Sequence, residues 1–468
     1  MNLMALAGAT ALAMPQAFDI DKIAPRWTIE VDNGAIYDGV WWATLRDEAL
    51  SAIIDKGLEG NPDLESAYGR LETAEGSTLV AFAPLLPSVS FDLTTNGQPA
   101  AVVFRCAVGP ISPEEFASIG QDTGDPQGLC FTGSALFNFR WGLDVFGRSI
   151  LNHKAARFEA QAARGDQSAT RLMVSGTIAS AYLDALAAAE QVTILQSQLK
   201  AQGELLEILE LRYETGAATG LDVLQQRQTV ASTRAALPPA RLSAQSQIRV
   251  LAALCGARLA ELPMLPNRLP EPVALPPIGT PQDLVMRRPD LAAARERVTA
   301  ARARRSASIR ALLPTLSANA NLGWQYALAD ELSTLETWGI GGNLSMPLFN
   351  GGSGIGALRQ ATGRMRSTVS TYNTAILNAV RDVETGVVRD IEHSERHEAV
   401  RKQVDAARDA YEEAQQRYLQ GIDTFLSVLT AQAGLQSAEL SLVQAHRDRL
   451  AARVQLWTAL GGGTGVIP

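Results

Sequence analysis

The sequence is poor in the residues that catalyse reactions, bind metals or cross membranes as helices. It has only three cysteines, four histidines and eight methionines in 468 residues. No nucleophile–base pairing stands out, so neither an enzyme nor a cofactor is expected, and eight methionines give no support for copper or silver export. Acidic residues outnumber basic ones, 49 to 41, which argues against a nucleic-acid partner. No apolar run reaches the roughly 18 residues of a transmembrane helix, so none is expected.

The three cysteines lie in two kinds of surroundings. Cys255 precedes Gly256 at the end of a helical stretch and is expected to be a small buried apolar residue. Cys106 and Cys130 flank a polar loop rich in glycine and proline. In an oxidising compartment this pair is expected to form a disulfide; two free thiols are the alternative.

The chain does contain a duplication. The stretch from Arg212 to Gly256 recurs 205 positions later, from Arg417 to Gly461. Both copies begin with Arg-Tyr-x-x-Gly, and matching residues keep the same offset to the final glycine without a gap. The chain therefore consists of two related halves, each far longer than a solenoid repeat.

Segments with a period of two lie between the helical stretches. In Ala135–Val145 and Leu316–Tyr326, apolar residues alternate with small polar ones. This pattern predicts strands with one apolar and one polar face, and each half is expected to supply two such strands. The neighbouring helices are rods of roughly 95 Å, which offer no core to cover the apolar faces.

Without a protein core, the apolar faces of the strands would contact lipid and the polar faces would contact water. Strands in lipid must close into a barrel, and four per chain are too few, so several copies are expected to assemble. Three copies would give twelve strands around a polar lumen. Aromatic residues are expected near the membrane interfaces, namely Trp141, Trp324, Trp338, Phe139 and Tyr326.

The predicted plan repeats one order of elements. An N-terminal segment with a possible signal remnant (1–43) precedes the first repeat, and an equatorial linker (257–280) precedes the second. The first repeat has a helix (44–84), a strand hairpin (85–147) and a long helical hairpin (148–256). The second has a helix (281–313), a strand hairpin (314–350) and a long helical hairpin (351–461), followed by a tail (462–468).

Several motifs, taken in order, resemble those of TolC-like outer-membrane efflux channels, in the branch paired with resistance-nodulation-division pumps. The resemblance runs from about Trp41 to Gly461. Its motifs are Asn61-Pro62-Asp63-Leu64, Leu86-Pro87, Leu237-Pro238-Pro239, Arg287-Arg288-Pro289-Asp290-Leu291, Leu313-Pro314 and the two Arg-Tyr-x-x-Gly turns.

The resemblance implies a mainly α protein with a β-barrel. Three copies would form a twelve-stranded barrel in the lipid of a Gram-negative outer membrane, continued by a long helical tunnel through the periplasm. The implied partners are a periplasmic membrane-fusion adaptor protein and an inner-membrane resistance-nodulation-division pump, and the implied cargo is drugs or toxic compounds. Many such channels are lipoproteins, but Leu6-Ala7-Gly8-Ala9 has alanine where the lipid-bearing cysteine would stand, so lipid anchoring stays open.

The resemblance also implies a periplasmic gate where the helical tips converge. Leu419 and Asp423 map to the constriction and are expected on one helical face, as rings in a trimer. The alternative for Asp423 is to cap a helix start. Asp222 is expected to hold the closed state by a link to Tyr418 or Arg417, with the partner left open. Some relatives carry a further carboxylate ring where this chain has Ser427 and Thr430.

The tips are also expected to contact the adaptor. Arg212, Tyr213, Gly216 and Gly421 belong to the two Arg-Tyr-x-x-Gly turns. Both glycines are expected to adopt the left-handed conformation that ends a helix.

Two enzyme-like patterns favour simpler explanations. His393-x-x-x-His397 has the spacing of metal ligands, but the surrounding run is charged and is expected to be a solvated face, so no metal site is predicted. Gly351 to Gly356 lacks the lysine of a phosphate loop and fits a strand-to-helix hinge. An outer-membrane channel for type I protein secretion remains the main alternative function. A soluble coiled-coil scaffold conflicts with the period-two segments.

Overall fold

A computed structural model describes residues 27–29, 40–99, 129–328 and 332–462 of the chain. Its helices are α1 (Glu48–Gly60), α2 (Pro62–Phe82), α3 (Arg148–Glu214), α4 (Gly220–Leu254), α5 (Pro281–Arg287), α6 (Pro289–Arg310), α7 (Ser353–Leu419) and α8 (Phe425–Ala459). Its strands are β1 (Ser88–Pro99), β2 (Leu129–Leu143), β3 (Thr315–Leu328) and β4 (Leu332–Ser345). Cys106, half of the expected disulfide, and the lipobox-like residues 6–9 lie outside the described residues.

The chain divides into two compact units. The first contains the described residues of Met1–Glu72, Gln161–Arg295 and Val369–Pro468, and the second those of Thr73–Ala160 and Glu296–Thr368. This division by contacts differs from the boundaries drawn along the sequence, because each unit combines segments from both repeats.

The second unit contains a four-stranded antiparallel sheet in the order β1-β2-β3-β4. The register places Phe91 opposite Phe137, Phe137 opposite Leu322, and Leu322 opposite Trp338. Because side chains alternate along a strand, these residues share one face. They are 42–74% exposed within the chain. One side of the sheet is therefore a continuous apolar surface without a protein core over it.

The register also locates the aromatic residues along the strands. Trp141 lies near the end of the sheet that leads into α3, while Trp324 and Tyr326 lie toward the opposite end. Phe139 and Trp338 occupy rows between these two positions. The register thus orders the five aromatic residues along the apolar face, and their position near the membrane interfaces stays a prediction.

The first unit has its main core around α1, where Leu50, Ile53 and Ile54 are fully buried. They pack with Ile178 and other residues of α3, α4 and α8, and burial of each large aliphatic side chain contributes about 1.5–3 kcal/mol. Asp47 begins α1, because its carboxylate accepts a hydrogen bond from the Leu50 amide at 3.0 Å. The same carboxylate accepts a hydrogen bond from Tyr182 Oη at 2.8 Å, which ties the start of α1 to α3. Cys255 is buried in this core, as expected.

Two of the proline-containing motifs form equivalent hydrogen bonds in the two repeats. Asn61 Nδ2 donates to the carbonyl oxygen of Leu254 at 2.7 Å, at the end of α4. Arg288 Nη1 donates to the carbonyl oxygen of Ala459 at 3.0 Å, at the end of α8. Leu254 and Ala459 are separated by the duplication offset of 205 positions. Each repeat thus uses the residue before Pro-Asp-Leu to satisfy an unpaired carbonyl at the end of its last helix.

One helix differs from its expected course. The single helix predicted over 281–313 is broken at Arg288, which has an extended conformation (φ −69°, ψ 118°), because the ring of Pro289 disfavours helical geometry in the preceding residue. The second part ends at Arg310. By contrast, α4 continues through Pro238 and Pro239.

One helix in the described part of the chain, α3, is long and apolar enough by composition to cross a membrane. Its most apolar 18-residue window has a mean hydropathy of 1.4, but 67% of that window is buried within the chain. We interpret this window as part of a protein core.

Charged and histidine side chains connect α7, α8 and the linker in the first unit. Arg453 forms a bidentate pair with Asp390, with N–O distances of 2.7 and 2.9 Å, and both side chains are buried. The His397 ring lies 5.0 Å from that of His446. The side chain of His397 is only 12% exposed, so the expected solvated face is wrong at this residue, because His397 packs on α8. The described residues contain no group of three or more His, Cys, Asp or Glu side chains that could hold a metal ion.

Candidate functional site

The tips of the two long helical hairpins are built by the same turn. Gly216 and Gly421 have φ angles of 73° and 74°, the left-handed conformation that glycine adopts without strain. The Gly216 amide bonds to the carbonyl of Tyr213, and the amide that follows it bonds to the carbonyl of Arg212. The equivalent two bonds form around Gly421. Both helices therefore end in a Schellman motif, as the paired glycines predict.

An apolar cluster lies behind these turns and receives side chains from all four long helices. Its buried residues are Leu205, Leu209, Val223, Tyr418, Phe425 and Val428. The rings of Tyr418 and Phe425 are 5.2 Å apart. Because the cluster combines α3 and α4 with α7 and α8, it holds the two hairpins together near their ends.

A polar contact at the edge of this cluster also joins the two repeats. Tyr418 Oη donates a hydrogen bond to Asp222 Oδ2 at 3.2 Å. Burial raises the pKa of Tyr418, and the nearby Asp222 charge and hydrogen bond raise it further. The hydroxyl thus remains protonated and able to donate. Of the two partners that the sequence left open for Asp222, the structure brings Tyr418 to it.

Asp222 has a second role in the same place. Its Oδ2 accepts a hydrogen bond from the Thr219 amide at 3.0 Å, while the Asp222 amide bonds to Thr219 Oγ1 at 3.2 Å. This reciprocal pair is a capping box that starts α4. The cap fixes the carboxylate in position, so that it can meet Tyr418 of the other repeat.

Arg212 was expected only at the adaptor surface, but the structure shows that it bridges the two tips. Its Nη1 donates to the carbonyl of Leu419 and its Nη2 to the carbonyl of Ala217, both at 3.4 Å. The guanidinium lies 5.4 Å from the centre of the Tyr418 ring. Its charge also faces the negative end of the α7 dipole. The sequence signal for this role is the repeated Arg-Tyr pair, although only one copy forms the bridge.

Asp423 and Leu419 do not share a helical face, because α7 ends at Leu419 and Asp423 lies in the turn. Asp423 Oδ1 accepts hydrogen bonds from the Thr424 amide at 2.7 Å and Ser427 Oγ at 2.9 Å. These two bonds, and more weakly the Arg417 charge, lower the pKa of Asp423. The N-cap residue of α8 is Thr424, and no side chain accepts a cap hydrogen bond there. The capping alternative for Asp423 is therefore wrong, and its carboxylate bonds next to the helix start instead. Arg417 lies 3.9 Å from Asp423 and does not reach Asp222 in the described contacts.

The duplicated tyrosines show how far the repeats diverge. Tyr418 is 8% exposed, whereas its equivalent Tyr213 is 55% exposed. The equivalent of Asp222 is Ser427, which bonds to Asp423 instead. The counterpart of the Tyr418–Asp222 contact would join Tyr213 to Ser427, and no such hydrogen bond forms among the described residues. The two equivalent pairs therefore differ in their chemistry. Several apolar side chains at the tips are exposed, namely Leu221, Leu224, Leu419, Ile422 and Leu426.

Comparison with known proteins decides the family. A model of the outer membrane efflux protein family matches residues 53–257 and 280–462. The chain belongs to this family. It is an outer-membrane efflux channel of a Gram-negative bacterium that extends into the periplasm, which confirms the expected location. Family membership, rather than any missing residue, confirms that the chain is a channel and not an enzyme.

Relatives and solved structures agree with this placement. The chain is 30% identical over 431 residues to the pyoverdine export outer membrane protein OpmQ of Pseudomonas putida, covering 92% of this chain and 89% of OpmQ. It is similar in fold to the outer-membrane channel OprN, with a TM-score of 0.80, 24% identity and coverage of 94% and 97%. VceC of Vibrio cholerae gives a TM-score of 0.76, 26% identity and coverage of 92% and 100%. The TolC-like fold expected from the motifs is confirmed.

Proposed function

We propose that three copies of this efflux channel protein close a twelve-stranded barrel in the outer membrane. The four strands of one chain leave β1 and β4 as terminal strands of the sheet. Unpaired strand edges are not tolerated in lipid, so each terminal strand needs a partner from a neighbouring copy. The exposed apolar face would meet lipid, and the polar face would line the lumen.

The helices would continue the barrel as a tunnel. α3 and α7 have 67 residues each, about 100 Å at 1.5 Å per residue. That length suits a passage through the periplasm, with the tips of the helical hairpins at its inner end.

The trimer acts as the passive exit duct of a tripartite efflux pump for drugs or other toxic compounds. It receives solute from a resistance-nodulation-division pump of the inner membrane through a periplasmic adaptor protein. The name of OpmQ, an export protein for pyoverdine, supports export of small molecules over type I protein secretion. Energy for transport comes from the pump.

The gate lies at the helical tips, and the Tyr418–Asp222 hydrogen bond is the observation that carries this proposal. Separation of the two hairpins must break this bond and the bond from Arg212 to the Leu419 carbonyl. Asp423 and Leu419 of three copies form the constriction, with Arg417 drawn toward Asp423. A ring of carboxylates there favours cations, and a ring of leucines restricts the passage of solutes.

The adaptor docks on the same tips. The Schellman turns at Gly216 and Gly421 present exposed apolar side chains such as Leu221 and Ile422 beside the exposed ring of Tyr213. Exposed apolar residues on a rigid turn suit a protein partner. Binding there places the adaptor where it can release the tip contacts.

Deletion of the gene, tested against a panel of toxic compounds, examines the exit-duct function. We expect greater sensitivity to several compounds and capture of an adaptor and a resistance-nodulation-division pump by the tagged chain. Unchanged sensitivity, together with capture of an ABC transporter, would support type I secretion instead.

A further inference from the structure

The polar face of the sheet carries its charged residues at two separate levels. Three successive rows, ordered from β1 to β4, are Ser88, Arg140, Asn319 and Gly341; Ser90, Asn138, Asn321 and Gly339; and Asp92, Leu136, Gly323 and Thr337. Arg140 lies in the row at the end of the sheet from which β2 leads into α3. Asp92 lies four residues further along β1, about 13 Å away at the rise of a strand.

The members of these rows on β1, and the arginine and asparagines on β2 and β3, line a recess of about 690 Å³ on this face of the sheet. Among its lining residues, Asp92 and Arg140 are the only charged ones, and most others are asparagine or serine. On β4, a Cβ atom at Gly339 would lie 2.8 Å from Asn321 Oδ1. The asparagine side chains of β3 therefore lie against the glycines of β4. Between its two charged residues, the recess is lined mainly by neutral groups that can form hydrogen bonds.

The two charged side chains differ in their partners. The Asp92 carboxylate accepts hydrogen bonds from Asn138 Nδ2 at 2.7 Å and Ser90 Oγ at 3.0 Å. The backbone at Arg140 is held, because Ser88 Oγ donates to its carbonyl at 3.1 Å. No carboxylate among the described residues forms an ion pair with the Arg140 guanidinium, whose side chain is exposed. The guanidinium is thus the cation that a solute on this face can reach.

We propose that Arg140 is an anion-binding residue of the barrel lumen and favours the passage of solutes with carboxylate or phosphate groups. The proposal rests on the trimeric barrel described above, in which three copies place a ring of Arg140 at the helical mouth of the lumen and a ring of Asp92 beyond it. A guanidinium binds carboxylate and phosphate through paired N–H donors. A ring of like charges in a narrow passage also concentrates counter-ions.

Single-channel recording of the full chain in a planar bilayer tests this role. Inorganic tripolyphosphate, added on the side opposite the helical tips, serves as the probe, and block of the current is measured. We expect block of the wild-type channel, and a rise of about tenfold in the half-blocking concentration for Arg140→Gln, the loss expected for a charge-assisted hydrogen bond. Arg140→Lys keeps the charge and should retain most of the block.

The matched control is Arg258→Gln, which removes the same charge from an exposed turn of the first unit. An equal loss of block in this control, or an unchanged block in Arg140→Gln trimers, would overturn the proposal. Wild-type trimers that conduct but are not blocked would overturn it while leaving the channel function intact. A wild-type chain that forms neither trimers nor channels would overturn both.

Discussion

Tyr418 Oη lies 3.2 Å from Asp222 Oδ2, across 196 positions of sequence and between the two halves of a duplicated chain. Asp222 is fixed by the cap that starts α4, and Tyr418 is fixed by the apolar cluster behind the tips. The hydrogen bond is therefore made between two rigid groups. It forms only while the two helical hairpins stay together.

The carboxylate of Asp423 combines a charge with two local hydrogen bonds, and two substitutions separate these roles. Asp423→Asn keeps an oxygen that can accept from the Thr424 amide, and we expect it to weaken cation preference without added solute leak. Asp423→Ala also removes the acceptor for the Thr424 amide and the Ser427 hydroxyl, and should raise both conductance and sensitivity to vancomycin. The measurement is single-channel selectivity and conductance, with the exposed Asp405→Asn as the control for net charge. Unchanged conductance and unchanged vancomycin sensitivity in Asp423→Ala would count against the gate assignment.

The carboxylate of Asp423 should become protonated only at a pH below the ordinary range for aspartate. Its hydrogen bonds lower its pKa below the ordinary 3.8. Cation preference should therefore persist as pH falls through 3.8 and disappear only below it.

The matched caps in the two repeats predict matched losses of stability. Asn61→Ala leaves the Leu254 carbonyl without its side-chain donor and also removes the acceptor for two amides at the start of α2. Arg288→Ala does the same to the Ala459 carbonyl and also breaks the pair with Asp290. Each loss should cost about 1–3 kcal/mol in the free energy of unfolding. Denaturant unfolding of the purified chain measures this, and Asn267→Ala, at an exposed position of the linker, should change little. A negligible loss in both cap variants would show that the carbonyls are satisfied in another way.

The buried pair of Asp390 and Arg453 should be more sensitive to truncation of one partner. Asp390→Ala leaves the guanidinium buried without its carboxylate, which typically costs about 3–5 kcal/mol. The Arg453 bond to the Val273 carbonyl remains and offsets only part of that loss. Thermal unfolding checks the prediction against Asp409→Ala, which removes an exposed carboxylate from the same helix. Equal effects of the two substitutions would contradict it.

The histidine pair should make the chain less stable in mild acid. Burial lowers the pKa of both His397 and His446, and the charge of Arg449 lowers both further, while Glu398 opposes the shift at His397 and Glu271 at His446. The unfolded chain thus binds more protons than the folded chain as pH falls below the ordinary 6.5. Stability should be complete above pH 6.5 and should decline as pH falls toward the lowered values. His446→Gln should flatten the dependence of the melting temperature on pH between 7 and 5; an unchanged slope would contradict the prediction.

Local patterns in the sequence predicted much of the fold. Alternation located the strands with their polar and apolar faces, and Gly216 and Gly421 marked left-handed turns, because both signals depend on neighbours in sequence. Pro289 is also a local signal for the end of a helix, but the residues on both sides of it have a helical pattern, which predicts one continuous helix. The sequence does not give the register between strands, so it could not predict which residues share a row of the sheet. The register places Phe139 and Trp338 between the rows of Trp141 and Trp324.

The candidate site was predicted less completely, because its contacts join distant positions. The sequence selected Asp222 and Tyr418, but only the packing of α3 and α4 against α7 and α8 brings them together. The same packing turns Arg212 inward and leaves Tyr213 exposed, although both belong to the same duplicated motif. The spacing of Leu419 and Asp423 predicts a shared helical face, but α7 ends at Leu419 and Asp423 lies in the turn that follows.

The most direct test of the proposed gate compares the two equivalent tyrosines. Tyr418→Phe removes the hydroxyl that reaches Asp222 but keeps the ring in the cluster, and should cost the closed tip about 1 kcal/mol, or about fivefold in the closed-to-open ratio. Tyr213→Phe is the matched control in the other repeat. In single-channel recordings of purified trimers, we predict a higher open probability for Tyr418→Phe and an unchanged one for Tyr213→Phe. An unchanged Tyr418→Phe channel, or an equal rise in both variants, would contradict a gate held by this contact.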